Sequence, residues 1–198
     1  MAVLVALGAT VLLGCGTSGR TLRDPAPGAT APPRSSPTSR PANQVLPDNA
    51  VIRPAGFSLS SVQWPADGPI PRSSTCAGAD SSPQLILSGA PEGTAELLLV
   101  ATDTAAPTRA RWIVAGIAPT ATDIPAGTIP DGAVAVINAT GSAAWSGPCP
   151  RTAPISFQIQ AFALPRISGL TATSTQSAVD AAIAGAIASV TLRGTAAP

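Results

Sequence analysis

The chain of 198 residues has no histidine, no lysine and no tyrosine. Imidazole bases, Schiff-base amines and phenolic acids are therefore excluded together, leaving Asp, Glu, Ser, Thr and Cys for any chemistry. Charge is also scarce: charged residues make up 11% of the chain, the net charge is +1, and all 11 basic residues are arginine. Scattered singly, these arginines form no basic stripe for neutralising phosphates, so nucleic acid is excluded as a partner. Metal binding lacks its commonest ligand and has no paired-cysteine spacing; no cofactor is expected. The carboxylates Asp67, Asp80, Glu92, Glu96, Asp103, Asp123, Asp131 and Asp180 show no spacing that singles out a glycosidase pair, and most read as solvated loop charges. A cysteine nucleophile would have no histidine to ionise it.

What the N-terminus does contain is an uninterrupted apolar run, AVLVALGATVLL, from Ala2 to Leu13. That is the length of a signal-peptide core, short of the about 20 residues that span a bilayer. It ends in Leu12-Leu13-Gly14-Cys15, which resembles the lipobox of bacterial lipoproteins, whose cysteine thiol receives diacylglycerol. Residues 1–14 are accordingly expected to be a lipoprotein signal peptide and Cys15 the lipidation site. Two departures stand out: leucine before the glycine in place of a small residue, and no Lys or Arg ahead of the run, which an upstream start would explain. From 15 to 50 the chain is dense in Pro, Ser, Thr, Gly and Arg with little to bury, the composition of a disordered tether. Such a linker would hold its domain on the order of 30 to 60 Å from the membrane.

Residues 51–198 alternate short apolar or β-branched runs with proline and glycine punctuation, the pattern of many strands joined by loops. Strands are expected over 56–60, 84–88, 95–102, 111–117, 133–138, 155–164 and 189–193. In the longest, Ile155, Phe157 and Ile159 face one way and Ser156, Gln158 and Gln160 the other, so one face is buried and one wet or polar. A helix is expected over 175–189, with Val179, Ile183 and Ile187 on one face, Ser177 and Asp180 as a capping box, and Gly185 packing closely on a strand. Asp67-Gly68 and Asp131-Gly132 read as turns. The fold class is mainly β, a β-sandwich with a C-terminal helix.

The pieces FSLSS (57–61), PIPRSSTCAGADSSPQL (69–85), ELLLVATDTAAPTRARWIVAGI (96–117), GAVAVINATGSAAWSGPCP (132–150) and FQIQAFAL (157–164) follow one another in this order. Together they resemble the phosphatidylethanolamine-binding protein family, more narrowly its bacterial Raf-kinase-inhibitor-like branch. The resemblance implies a non-enzymatic sandwich with a small surface pocket for anionic groups such as phosphate or a phospholipid headgroup. It places Asp103, Pro107, Gly147, Pro148, Cys149 and Pro150 on matching family positions. Ala105 stands where the family has a second aspartate, Arg111 and Ile155 where it has histidines, and Phe157 where it has tyrosine. A pocket without histidine loses protonation near neutral pH. Arg111 is either a fixed fork for an anion or a partner that closes on Asp103, and both arrangements stay open. Arg109 and Arg151 either flank the mouth or are plain surface charges, and Trp112 and Trp145 either line the site or pack.

With Cys15 assigned to lipid, two thiols remain, Cys76 and Cys149. An exported domain sits where disulfides persist, and this count favours pairing. The resemblance puts both loops near the pocket. Such a bridge would contribute roughly 3 to 4 kcal/mol by constraining the unfolded chain; free thiols or an intermolecular bridge are the alternatives. Asn138-Ala139-Thr140 fits an N-glycosylation triplet, a pattern common by chance. The expected function is a lipid-anchored extracytoplasmic binding module on the cell membrane, taking an anionic small molecule or phospholipid headgroup. A structural or protein-interaction domain with an envelope partner is the alternative, and a hydrolase using a carboxylate comes third.

Overall fold

The computed structural model describes residues 56–198. The expected signal peptide, Cys15, the tether and the first five residues of the expected domain lie outside the described residues. The elements run β1 (Ser58–Ser61), β2 (Gly68–Pro69), a single 3-10 turn (Arg72–Ser74), β3 (Leu85–Ser88), β4 (Glu96–Asp103), β5 (Ala110–Ile117), β6 (Asp123–Ile124), β7 (Val134–Ala135), β8 (Ile155–Leu164), α1 (Gln176–Ala184) and β9 (Ala188–Ala196). They form two sheets, β1-β3-β6 and β2-β9-β8-β4-β5-β7. Every pairing is antiparallel except β2 with β9.

The run ELLLVATD explains the architecture. A strand with one wet face alternates apolar and polar residues, whereas this one is apolar on both, which requires cover on both sides. Leu97, Leu99 and Ala101 point into the core between the sheets, meeting Leu59, Leu85 and Leu87 of the small sheet. Leu98 and Val100 point the other way, into a second core closed by Val179 of α1. In β8 the expected alternation holds from Ile155 to Gln160. Beyond it Ala161 to Leu164 are all buried, because α1 covers the outer face there.

Several elements differ from expectation. The helix ends at Ala184, with Gly185 as its C-cap; by Ile187 the backbone already donates to the Ala163 carbonyl and has joined the sheet. Ile187 is consequently half exposed and leaves the helical face. A Cβ on Gly185 would meet only the Ala182 carbonyl, at 3.5 Å, so this glycine ends the helix rather than packing against a strand. The N-cap is Thr175, whose hydroxyl accepts from the Ala178 amide, while Asp180 accepts from the Gln176 side chain; Ser177 and Asp180 form no capping box. Strand β7 keeps only Val134 and Ala135 of the expected 133–138, because the Ile137 amide turns away to the Ala172 carbonyl. The two-residue strands β2 and β6 carry no period that a sequence could show. Both expected turns are present, with Asp67 and Gly132 at φ 60 and 79°.

Glu96 also departs from the solvated role. It is 1% exposed, and its carboxylate accepts from the Gly116 amide at 2.8 Å and from the Ser168 amide and hydroxyl at 2.7 and 2.8 Å. Three donors offset the desolvation of a buried charge and tie β4, the end of β5 and the loop before α1 together. Because Leu99 is fully buried between the sheets, Leu99→Ala should cost about 2 to 5 kcal/mol. Chemical denaturation should show this as a lower midpoint at unchanged slope, whereas Val62→Ala at an exposed position should stay within about 0.5 kcal/mol.

Candidate functional site

Strand β4 ends at Asp103 and β5 begins at Ala110, so the connecting turn places Asp103, Ala106, Arg109 and Arg111 at one end of the large sheet. The turn is held by the Ala106 amide donating to the Asp103 carbonyl and the Arg109 amide to the Ala106 carbonyl. With Ala139 and Thr140 these residues line a cavity of about 200 Å³. One carboxylate and two guanidiniums share it. The Oδ1 atom of Asp103 is buried and has no hydrogen-bond partner. Arg109 is exposed at the rim.

Arg111 does not close on Asp103, whose Oδ1 stays unpaired. Its Nε donates to the Ser146 carbonyl at 3.1 Å and its Nη2 to the Gly147 carbonyl at 2.6 Å, so the guanidinium is braced from behind by the loop 146–149. A guanidinium has five N–H donors; two are used, and the positive charge stays at the cavity wall.

The loop that braces Arg111 is itself held at several points. Cys149 is bonded to Cys76, with Cα atoms 5.1 Å apart. The Gly147 amide donates to Asp80 Oδ1 at 2.8 Å, the Cys76 amide to the Pro148 carbonyl at 3.2 Å, and the Trp145 indole to the Ser74 carbonyl at 3.3 Å. A side chain at Gly147 would strike the Ser74 carbonyl at 2.2 Å, which is why only glycine fits. Asp80 has φ 47°, a conformation that aspartate tolerates better than most residues. Gly147 and Pro148 are buried behind Arg111 and do not line the cavity. Pro107 is exposed and also lies off the lining. Arg151 is exposed and absent from it too. Trp112 and Trp145 pack edge to face at 5.3 Å, and Trp145 meets Phe157 in the same way at 5.6 Å. These aromatic side chains are core, so Phe157 at the family's tyrosine position faces the interior.

The residue that organises the other wall is Asn138, which the glycosylation triplet misreads. It is 7% exposed. Its amide donates to the Arg111 and Ala144 carbonyls at 2.8 and 2.9 Å, and its oxygen accepts from the Thr140 amide, the Thr140 hydroxyl and the Ser142 amide. Both of its donors are engaged, so it is a loop organiser that fixes Thr140 beside Arg111. The sequence signal was the Asn-x-Thr spacing itself, since an asparagine oxygen readily accepts from the amide and hydroxyl two residues on. Outside this region, a larger groove of about 530 Å³ lies between Leu164–Ser168 and the alanines of α1. Among the described residues no cluster of three metal-ligating side chains occurs.

A sandwich with a small charged hollow at the strand ends defines a ligand-binding class of β protein, and comparison with known proteins places it further. Residues 60–197 match the family model described as phosphatidylethanolamine-binding protein. The chain belongs to that family. It is 39% identical over 127 residues to a UPF0098 protein of Mycobacterium bovis, covering 63% of this chain and 55% of that one. The chain thus spans little more than half the length of that relative. It is 34% identical over 155 residues to a Mycobacterium tuberculosis protein named "Putative lipoprotein LppC", covering 76% of this chain and 68% of that one. Among solved structures, YbcL of Escherichia coli, described as a member of the mammalian PEBP family, superposes with a TM-score of 0.67 at 27% identity, over 73% of this chain and 99% of that one.

Two stability outcomes follow from this geometry. Asn138→Ala leaves buried carbonyls and amides unpaired, and should destabilise the domain by about 1 to 3 kcal/mol. Replacing Cys76 and Cys149 together by serine should cost roughly 3 to 4 kcal/mol. Thermal unfolding of each variant measures both.

Proposed function

We propose that the protein is a lipid-anchored, extracytoplasmic, non-enzymatic binding module whose altered pocket takes a small anionic group, such as a phosphate or a phospholipid headgroup. The observation that carries the reading is the braced Arg111. Because its guanidinium is drawn to the Ser146 and Gly147 carbonyls, it is held in place before any ligand arrives. With Arg109 it gives the cavity two positive charges against the one negative charge of Asp103. A preorganised guanidinium loses little freedom on binding, which favours anions with several acceptor oxygens. The order of motifs suits the Raf-kinase-inhibitor-like branch of the family. Pro107, Gly147 and Pro148 support this pocket from outside its lining.

Lipid anchoring rests on the apolar run ending at Cys15 and on the name carried by the LppC relative. No helix among the described residues is long and apolar enough to cross a membrane. A domain 51–198 on a tether of residues 15–50 then stands off the outer face of the cell membrane. The alternative of an envelope interaction domain draws on the 530 Å³ groove and on Ile167, which is 71% exposed beside it.

Phosphate at a hundred times its dissociation constant should stabilise the protein by about 2.7 kcal/mol, read as a rise in Tm. The rise should vanish in Arg109→Ala, whose exposed side chain can be removed without disturbing the fold. An undiminished rise in that variant would remove the pocket assignment, and no rise in the native protein would favour the interaction-domain alternative. For the anchor, mass spectrometry of membrane-extracted protein should show Cys15 carrying lipid; an unmodified thiol there would refute it.

A further inference from the structure

A second cavity, of about 290 Å³, adjoins the charged one: it is lined by Thr108, Ile137, Ala139, Thr173, Thr175 and Gln176, among others. The two share Ala139, and Thr108 of one precedes Arg109 of the other along the chain. Pockets that enclose small molecules usually measure about 300 to 1,000 Å³. Neither cavity reaches that range alone, and together they do. The chemistry changes sharply across Ala139. The first cavity carries three charged side chains, whereas none of the residues lining the second is charged.

The second lining carries side-chain hydroxyls and amides around an apolar surface that includes Ile137, which is 41% exposed, and Ala139. The Thr175 hydroxyl oxygen already accepts from the Ala178 amide, which leaves its O–H to donate outward. Asn138 is fully engaged with the Arg111 and Ala144 carbonyls and with Thr140 and contributes wall only. Neutral donors and acceptors beside an apolar platform suit a group that bears hydroxyls on one side and C–H on the other.

The first cavity adds an independent demand. Asp103 Oδ1 is a buried acceptor without a donor, and leaving such an atom unpaired is costly. Inorganic phosphate as its dianion has a single O–H, and giving it to Asp103 sets the charged phosphate oxygens close to that carboxylate. A phosphate ester with a hydroxyl next to the ester oxygen supplies the anion for the arginines and a donor for Asp103 at once.

We infer that the two cavities form one site for a phosphorylated sugar or cyclic polyol, with the phosphate against Arg109 and Arg111, a hydroxyl on Asp103, and the remainder of the ring across Ala139 against Ile137 and the threonines. This inference rests on the pocket reading above and names its ligand class. Titration calorimetry on the full chain would compare inorganic phosphate, phosphoethanolamine, glucose 1-phosphate, mannose 1-phosphate and inositol 1-phosphate. At least one of the three ring phosphates should bind ten times more tightly than inorganic phosphate and more tightly than phosphoethanolamine. Thr173→Trp, which fills the second cavity from an exposed position, should bring the ratio of ring phosphate to phosphate close to one. If phosphate binds and no ring phosphate improves on it, the inference fails while the anion pocket stands. A ratio that survives Thr173→Trp, or a best ligand that is phosphoethanolamine, also overturns it. Absence of binding by all five probes overturns both readings.

Discussion

The candidate site depends on the pair of hydrogen bonds from Arg111 to the Ser146 and Gly147 carbonyls. An arginine and an aspartate facing the same hollow attract each other, and exposed pairs of this kind gain only about 0 to 1 kcal/mol. Two carbonyl acceptors are enough to compete with that gain, since hydrogen bonds to charged groups contribute about 1.5 to 3 kcal/mol each. The competition is decided by geometry fixed elsewhere, because the loop presenting those carbonyls cannot move away. It is fastened by the Cys76–Cys149 bond and by the Gly147 amide on Asp80. The bridge thus acts on the cavity at one remove: it holds a loop, the loop holds a guanidinium, and Asp103 Oδ1 is left open.

The sandwich supplies the frame for this chain of constraints. Strands β4 and β8 pair along eight positions, from Glu96 with Leu164 to Asp103 with Phe157; β4 buries both faces over nearly all its length, and β8 does so from Ala161 to Leu164. Such a ladder has one register that suits two cores at once, since slipping by a residue would exchange the two sets of leucines. Asp103 therefore leaves the sheet at a fixed height, one residue beyond the fully buried Ala101 and Thr102. Glu96 closes the opposite end of the same strand with three donors. The two carboxylates of β4 differ: Glu96 is buried and satisfied by the protein, whereas the half-buried Asp103 keeps one buried oxygen that only a ligand or solvent could satisfy.

Much of the frame was legible in the sequence. The run ELLLVATD, the alternation of ISFQIQ and the loop GPCP carry period, length and turn chemistry within a few residues of one another, and the pairing of Cys76 with Cys149 followed from counting thiols in an exported chain. The illegible parts are those set by tertiary partners. Glu96 looks like any surface glutamate until Ser168 and Gly116 are brought to it. Strand β7 reads as a six-residue strand because its residues are apolar, and it ends early because Asn138 captures a turn of its own. In the site, the family resemblance brought Asp103 and Arg111 together and gave Gly147 and Pro148 as part of a loop framing the pocket; that loop stands behind Arg111, off the lining. Their role passes through backbone carbonyls, which have no signature in the side-chain alphabet. Thr140 was hidden for a similar reason, as a member of a triplet with a commoner meaning, while Arg109, weighed as a flank of the mouth or a plain surface charge, stands on the lining.

Arginine at position 111, where the family resemblance implies histidine, changes what such a cavity can sense. Histidine alters its charge near neutral pH, whereas arginine remains protonated throughout that range. The described lining holds one carboxylate, two guanidiniums, one hydroxyl and two alanines, with no imidazole among them. Ionic strength acts on such a wall, because Arg109 lies at the rim, where charges are screened within about 8 to 10 Å at physiological salt. Arg111 is half-buried and backed by protein, so its attraction is screened less. On the proposed anion-binding reading the two cations would divide the work: the exposed one would draw an anion towards the mouth and weaken with salt, and the braced one would fix the orientation in which that anion comes to rest.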